Sequence, residues 1–385
     1  MGFAELLLFA AAWVGHAALW LVALNVLYSR PIHRDILNGI RLIVGLIVFS
    51  FPAAIAVFLH WGVIDLAANE RRAPFMLQAY LAICLVMCLI VIPLFTAIRL
   101  LRPKRPCVIG ERSEIVDVAT QFGRKPVGDG KRRWMAKLPR NQIFQIEYSE
   151  LTLRLPRLPA AWDGLTLLHL TDLHLTGTPD RTFYEFALDR CMANGAPDIL
   201  AITGDLVDTD ANHRWLLPLL SRLRWNEAAF AILGNHDYWY RPERIRRRLA
   251  RLGMTVLGNS WRSLTLRGES LVVVGNEEPW FRPGPDLRGC PEGGFRLCLS
   301  HAPDTIRWAR RQGIDLMLSG HNHGGQIRLP LFGSLFVPSI YSRKYDCGLF
   351  LEEPTLLYVG RGLGGKEPLR YNCRPQITRL VLTCS

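Results

Sequence analysis

The sequence lacks a cysteine framework. Nine cysteines are scattered through 385 residues without a CxxC pair, and Cys84 and Cys88 fall inside an apolar run. Such an odd, unpatterned set argues against a disulfide scaffold or a zinc ribbon and agrees with a reducing compartment. Also missing are RNA-binding aromatic motifs and a recognition-helix pattern, so no nucleic-acid module accounts for the formal net charge of +13. Finally, lysine, arginine, aspartate and glutamate are absent from three stretches, 6–28, 42–64 and 75–98. Each is longer than the roughly 20 residues that cross a hydrocarbon core. A buried soluble helix would carry a polar stripe at helical spacing, so these runs are expected to be three transmembrane helices forming a membrane domain over 1–98.

Residues 1–5 hold no basic side chain and the first run is too long for a signal-peptide core, so it is expected to persist as a span. Arg30, Arg34 and Arg41 follow the first span; Glu70, Arg71 and Arg72 the second; Arg99, Arg102, Lys104 and Arg105 the third. The positive-inside rule then favours an outer N-terminus and a cytoplasmic remainder. The first 98 residues hold five arginines against four carboxylates, so twelve of the thirteen net positive charges lie beyond them. With three spans present, anionic lipid headgroups or a phosphorylated lipid suit that charge better than nucleic acid does.

The stretch 99–142 is rich in arginine, lysine, proline and glycine, as in GRKPVGDGKRRW, and is expected to be a basic juxtamembrane linker. From 143 to 385 short apolar runs alternate with amphipathic segments. Strands are expected at 165–170, 198–203, 228–233, 295–300 and 315–319, and helices at 181–193, 212–224, 242–252 and 304–312. Further strands at 271–275, 356–360 and 377–382 favour an α/β fold built as a two-sheet β-sandwich flanked by helices. The five first-named strands end in TDLHL, TGDLVD, GNHDYW, SHAP and GHNHGG. Ligands gather at the carboxyl ends of strands in such folds, so five loops spread over 150 residues can meet at one place.

Those loops offer Asp172, His174, Asp205, Asn235, His301, His321 and His323. Seven oxygen and nitrogen donors without a thiolate exceed what one tetrahedral ion takes, and they suit two divalent ions sharing a carboxylate. Two such ions can activate a water and grip a phosphoryl oxygen. Manganese, iron and zinc all suit these donors.

As an ordered set, D-x-H, G-D, G-N-H-D, a later His and G-H-x-H resemble the signature of the calcineurin-like metallophosphoesterase superfamily over 143–385. The resemblance implies that Asp172, His174 and His323 hold one metal, that Asn235, His301 and His321 hold the other, and that Asp205 bridges them. It further implies that His236 stabilises charge and protonates the leaving oxygen, oriented by Asp237. HNHGGQ, RLPAAWDGLTLLHLTDLH and the late VGRGLGG segment are similar to a membrane-associated bacterial subgroup. That subgroup includes phosphodiesterases and a UDP-2,3-diacylglucosamine pyrophosphatase, which implies a phosphodiester or pyrophosphate of a lipid-linked substrate and a place in the bacterial inner membrane. Three spans depart from the subgroup's usual single anchor. Two other functions compete with this reading: a non-catalytic metal-binding scaffold at the membrane, and a nucleic-acid phosphodiesterase.

Several residues carry a bland reading beside a functional one. Arg241, Arg244, Arg246, Arg247, Arg248 and Arg251 form either a solvated helix face or a grip on phosphate or bilayer. Arg241 and Arg361, the latter in GRGLGG, are candidate substrate-phosphate ligands. Trp239, Tyr240, Trp280 and Phe281 read as satellite cores ahead of a substrate cover, and His169 and His213 as structural. Asp208 is expected to orient a ligand or to cap a turn.

Overall fold

The computed structural model describes residues 3–60, 75–101 and 107–384. The chain forms two compact units, Met1–Lys104 with Pro330–Phe332, and Arg105–Leu329 with Gly333–Ser385. Among the described residues of the first unit three helices, Phe3–Tyr28, Arg34–Val57 and Phe75–Leu100, are long and apolar enough to cross a membrane. Leu42, Leu46 and Phe49 stand outward and exposed, an arrangement lipid favours and water penalises. Inside, Trp13 Nε1 donates to the Val48 carbonyl at 2.9 Å, and a Cβ added at Gly15 would lie 1.8 Å from the Cys84 carbonyl oxygen. Only glycine permits that helix approach. The end of the second expected span, 61–64, and the loop charges Glu70, Arg71, Arg72, Arg102, Lys104 and Arg105 lie outside the described residues.

Among the described residues the second unit has fifteen strands. They are β1 (Val108–Asp117), β2 (Gln145–Arg154), β3 (Leu165–Leu170), β4 (Ile199–Thr203), β5 (Ala228–Ile232), β6 (Thr255–Val256), β7 (Trp261–Leu266), β8 (Glu269–Asn276), β9 (Phe295–Ser300), β10 (Leu316–Ser319), β11 (Arg328–Leu329), β12 (Gly333–Ser334), β13 (Gly348–Glu352), β14 (Thr355–Val359) and β15 (Gln376–Thr383). One sheet runs β1-β2-β15-β3-β4-β5-β6 and the other β13-β14-β10-β9-β8-β7, with β11 and β12 a separate pair. The central strands β3 to β6 are mutually parallel, as are β8, β9, β10 and β14. Their sequences are continuous apolar runs because both faces are covered.

Alternation decides which layer each side chain enters. Leu165 and Leu167 of β3, Leu297 and Leu299 of β9, and Leu316 and Leu318 of β10 fill the core between the sheets, where Trp162 also lies. Leu168 and Leu170 turn the other way, onto Phe183, Leu188 and Leu216 of the outer helices. Cys298 and Met317 do the same on the second sheet, against Ile306 and Ala309. The Arg181–Met192 helix starts where Asp180 accepts the amides of Thr182 and Phe183, an N-cap of the preferred type. The expected two-sheet sandwich with outer helices is therefore the fold observed.

The stretch 99–142 is not merely a linker. β1 pairs antiparallel with β2 along its length, Asp117 caps the Val118–Phe122 helix, and Val118 and Ala136 are buried. The strand escaped notice because an edge strand needs a backbone partner rather than an apolar sequence, and most of its side chains are exposed.

Trp162 is fully buried and donates its indole N–H to the Leu266 carbonyl at 2.7 Å. Trp162→Ala is expected to destabilise this unit by about 3–5 kcal/mol. A lowered urea midpoint, followed by near-ultraviolet circular dichroism of the detergent-solubilised chain, checks it; an unchanged midpoint would contradict the inter-sheet core described above.

Candidate metal centre

Loops at the carboxyl ends of β3, β4, β5, β9 and β10 bring the polar residues together. Backbone geometry marks the place: Asp172, His174, Asp205, His321 and His323 have φ of 52°, 44°, 54°, 66° and 49°. Left-handed backbone costs a non-glycine residue about 1–3 kcal/mol, and such strain concentrates at functional sites. Five strained residues share one cluster.

Among the described residues three groups have ligand atoms within 4.8 Å of one another: Asp172 with His174 and His323, Asp205 with His301 and His321, and His174 with Asp208 and His236; the first two hold the expected donors. His323 Nε2 lies 3.5 Å from Asp172 Oδ1, and His174 Nε2 lies 3.0 Å from His323 Nε2. Asp205 Oδ2 stands between the groups, 3.4 Å from His174 Nε2 and 3.3 Å from His301 Nε2. The Asn235 carbonyl oxygen is 3.0 Å from His301 Nε2. Among the described residues His321 Nε2 is buried with no hydrogen-bond partner, and an unsatisfied buried nitrogen is accounted for by a ligand or ion. Imidazoles and carboxylates without a thiolate form the donor chemistry of a divalent transition metal, so these residues fit such an ion.

A second layer of contacts fixes the rings. Thr203 O receives His301 Nδ1 at 2.7 Å, and Asp208 Oδ2 receives His174 Nδ1 at 2.9 Å. Each leaves Nε2 free to face the cluster. Gly234 admits the arrangement by its size: a Cβ there would fall 2.2 Å from Asp205 Oδ1 and 2.6 Å from His301 Cε1.

Carboxylates and imidazoles of the cluster shift one another. Burial raises the Asp172 carboxyl, but the imidazoles of His323, His174 and His301 outweigh it and hold the group well below its ordinary range. Burial disfavours His301 as a cation, yet Asp205 carries it up to about 9. His321 is pushed down to about 3 by burial and by the neighbouring His301, against the pull of Asp205 and Asp172. It is the neutral ligand-competent form that results.

His236 lies over the cluster. It is 17% exposed on its side chain, whereas Asp172, His174, Asp205 and His301 are at most 1% exposed. Its amide donates to Asp205 Oδ1 at 2.8 Å, its Nδ1 makes a short bond to Asp208 Oδ1, and Trp239 packs edge-on against its ring.

Three expectations need correction. Asp237 does not orient His236: its carboxylate is fully buried and accepts the amides of Leu206, Val207 and Gly234, and burial together with Asp205 lifts it to about 7. The carboxylate that His236 Nδ1 meets is that of Asp208. Arg361 is not free for substrate, because its guanidinium is 2.6 Å from Glu147 and its Nε bonds Gln376. Arg241 pairs at 3.2 Å with Asp210 on the surface. Trp280, expected in a satellite core, instead walls the site, its ring 4.9 Å from that of His321 and 5.7 Å from that of His301. Phe281 packs with Tyr238 as a small cluster, and His169 and His213 are held by Thr203 and by the Tyr240 carbonyl.

Arg370 was missed. Fully buried, it donates to the carbonyls of His323, Arg361 and Gly364 and so ties two glycine-rich loops together. Nothing in its local sequence signals this, since its side-chain partners lie up to 47 residues away. Asp208 did carry a signal, its spacing of three from Asp205 at a strand end.

Gly234→Ala is expected to cost about 1–3 kcal/mol by overpacking and to lower metal content, because the intruding methyl must displace Asp205 or His301. Elemental analysis of the purified variant checks this; wild-type content would mean the loop has slack.

A strand-end cluster of carboxylates and imidazoles on a two-sheet α/β sandwich defines a metallophosphoesterase. The family model described as calcineurin-like phosphoesterase matches residues 165–325. Similar proteins include the metallophosphoesterase YkuE of Bacillus subtilis, 30% identical over 62% of this chain and 85% of its own, and phosphodiesterase YaeI of Escherichia coli, 33% identical over 56% and 81%. The UDP-2,3-diacylglucosamine pyrophosphatase LpxG of Chlamydia muridarum is 26% identical over 60% of this chain and 88% of its own. The chain belongs to the calcineurin-like phosphoesterase family and is a metal-dependent phosphoesterase of the phosphodiesterase type.

Proposed function

We propose that the protein is a membrane-anchored phosphohydrolase that uses two divalent ions to cleave a phosphodiester or pyrophosphate of a lipid-linked substrate, of which UDP-2,3-diacylglucosamine is the sharpest candidate. The observation that carries this reading is Asp205, whose one carboxylate oxygen lies within 3.4 Å of a histidine from each group. In this reading Asp172, His174 and His323 hold one ion, Asn235, His301 and His321 hold the other, and Asp205 is shared. Bound there, divalent ions supply Lewis acidity to a phosphoryl oxygen and neutralise developing charge. His236 is placed at the mouth to hydrogen-bond that phosphoryl group and hand a proton to the departing oxygen. Asp208 supports the role by accepting from His236 Nδ1, which leaves Nε2 as the substrate-facing atom. Similarity to LpxG supports the substrate class, the three apolar helices support membrane anchoring, and the loop arginines favour a catalytic unit on the cytoplasmic side of a bacterial inner membrane.

The test incubates full-length protein, loaded with manganese, zinc or iron, with bis-p-nitrophenyl phosphate, extracted membrane lipids and nucleotide-lipids, and reads products by mass spectrometry. Release of a nucleoside monophosphate from UDP-diacylglucosamine is expected. Cleavage of the chromogenic diester without any lipid product would keep the phosphodiesterase and remove the substrate; cleavage of RNA or DNA instead would favour the nucleic-acid alternative. A metal-loaded chain that cleaves none of these would point to the non-catalytic scaffold.

A further inference from the structure

The helix Pro242–Arg251 begins three residues after the Asn235–Trp239 turn that carries His236. Ile245 and Leu249 bury its inner face. Its outer side lines a groove of about 530 Å³ formed by Arg241, Arg244, Arg247, Arg248 and Arg251 with Glu243. Glu243 is the helix's sole acid, and it lies 3.5 Å from Arg246, which is itself forked onto the buried Glu277. Among the described residues, Arg244, Arg247 and Arg251 have no carboxylate partner. They sit three and four residues apart, the spacing at which like charges on a helix repel. A structural helix gains nothing from such a row, whereas an anion would relieve it.

We propose that this groove is a binding site for the headgroup phosphates of anionic phospholipids in the bilayer that the three apolar helices occupy. The stripe extends the full helix, about 15 Å, so it spans several headgroups rather than one free phosphate. No aromatic side chain is interleaved along it, so a stacking platform for nucleic-acid bases is lacking. Arginine forks suit phosphate oxygens, and each basic side chain near an anionic surface adds to attraction that falls away within a Debye length. None of the groove's residues belongs to the metal cluster, and binding there needs no catalytic turnover.

Phenylglyoxal footprinting of the full chain tests it, with the protein in nanodiscs of phosphatidylcholine alone or with phosphatidylglycerol as one lipid in three. Modification of Arg244, Arg247 and Arg251, followed by mass spectrometry, should slow severalfold in the anionic discs and recover in high salt. Arg288, 91% exposed and not among the groove's residues, should react equally in both. Equal rates at the stripe would overturn the proposal. So would slowing shared by Arg288, which reports general crowding at the surface, or equal protection by inorganic phosphate in neutral discs, which would make the groove a free-phosphate site.

Discussion

Asp205→Ala abolishes phosphodiesterase activity, with an expected loss on the order of 10³-fold or more. Metal ions contribute several kcal/mol of transition-state stabilisation, and each 1.36 kcal/mol is a factor of ten in rate. The substitution acts on both donor groups at once, because Asp205 Oδ2 stands beside His174 and beside His301. It also frees the His236 amide, which Asp205 Oδ1 accepts at 2.8 Å. In the proposed two-ion reading, loss at one group would leave a mononuclear site, whereas loss of the shared carboxylate weakens both. The variant should fold, since the strands and the inter-sheet core do not involve this side chain. Circular dichroism, elemental analysis and hydrolysis of bis-p-nitrophenyl phosphate on one preparation separate the outcomes. A folded variant with full metal-dependent activity would refute the proposed mechanism.

Much of the site was legible because each donor lies at the end of a buried strand, where apolar runs are bounded by a polar tripeptide. LTLLHL before TDLHL and DLMLS before GHNHGG carry their position in the pattern. What the pattern could not carry is which neighbour each side chain chooses after folding. Asp237 follows His236 directly, yet its short side chain turns back to the amides of Leu206 and Val207. Asp208 comes from a different strand and reaches both His174 and His236. Arg361 looked available in a glycine-rich turn, but Glu147 on β2, far away in sequence, neutralises it. The same limit hid β1, whose membership in the sheet rests on backbone pairing that no hydrophobic periodicity reports.

Asp208→Asn tests that reassigned pair. Both oxygens of Asp208 accept, one from His174 Nδ1 at 2.9 Å and one from His236 Nδ1. The two rings meet edge to face with centroids 4.6 Å apart. Asparagine keeps the shape but replaces one acceptor with an N–H₂ donor, so one ring loses its partner and is driven to the tautomer whose Nδ1 accepts. That ring then carries its proton on Nε2. If the ring is His174, Nε2 no longer offers a lone pair to the cluster and metal affinity falls, by about 10–100-fold as for other supporting partners. If it is His236, metal affinity holds, but the doubly protonated ring that donates from Nε2 with its Nδ1–H on Asp208 loses the carboxylate supporting it, and kcat falls by up to about 10²–10⁴-fold as general-acid catalysis weakens. Titration with manganese beside a kcat measurement tells them apart, and His236→Ala supplies the reference for the second outcome. Asp237→Asn should leave both rings paired with Asp208. A larger kcat loss in Asp237→Asn than in Asp208→Asn, at equal metal content, would return the orienting role to Asp237.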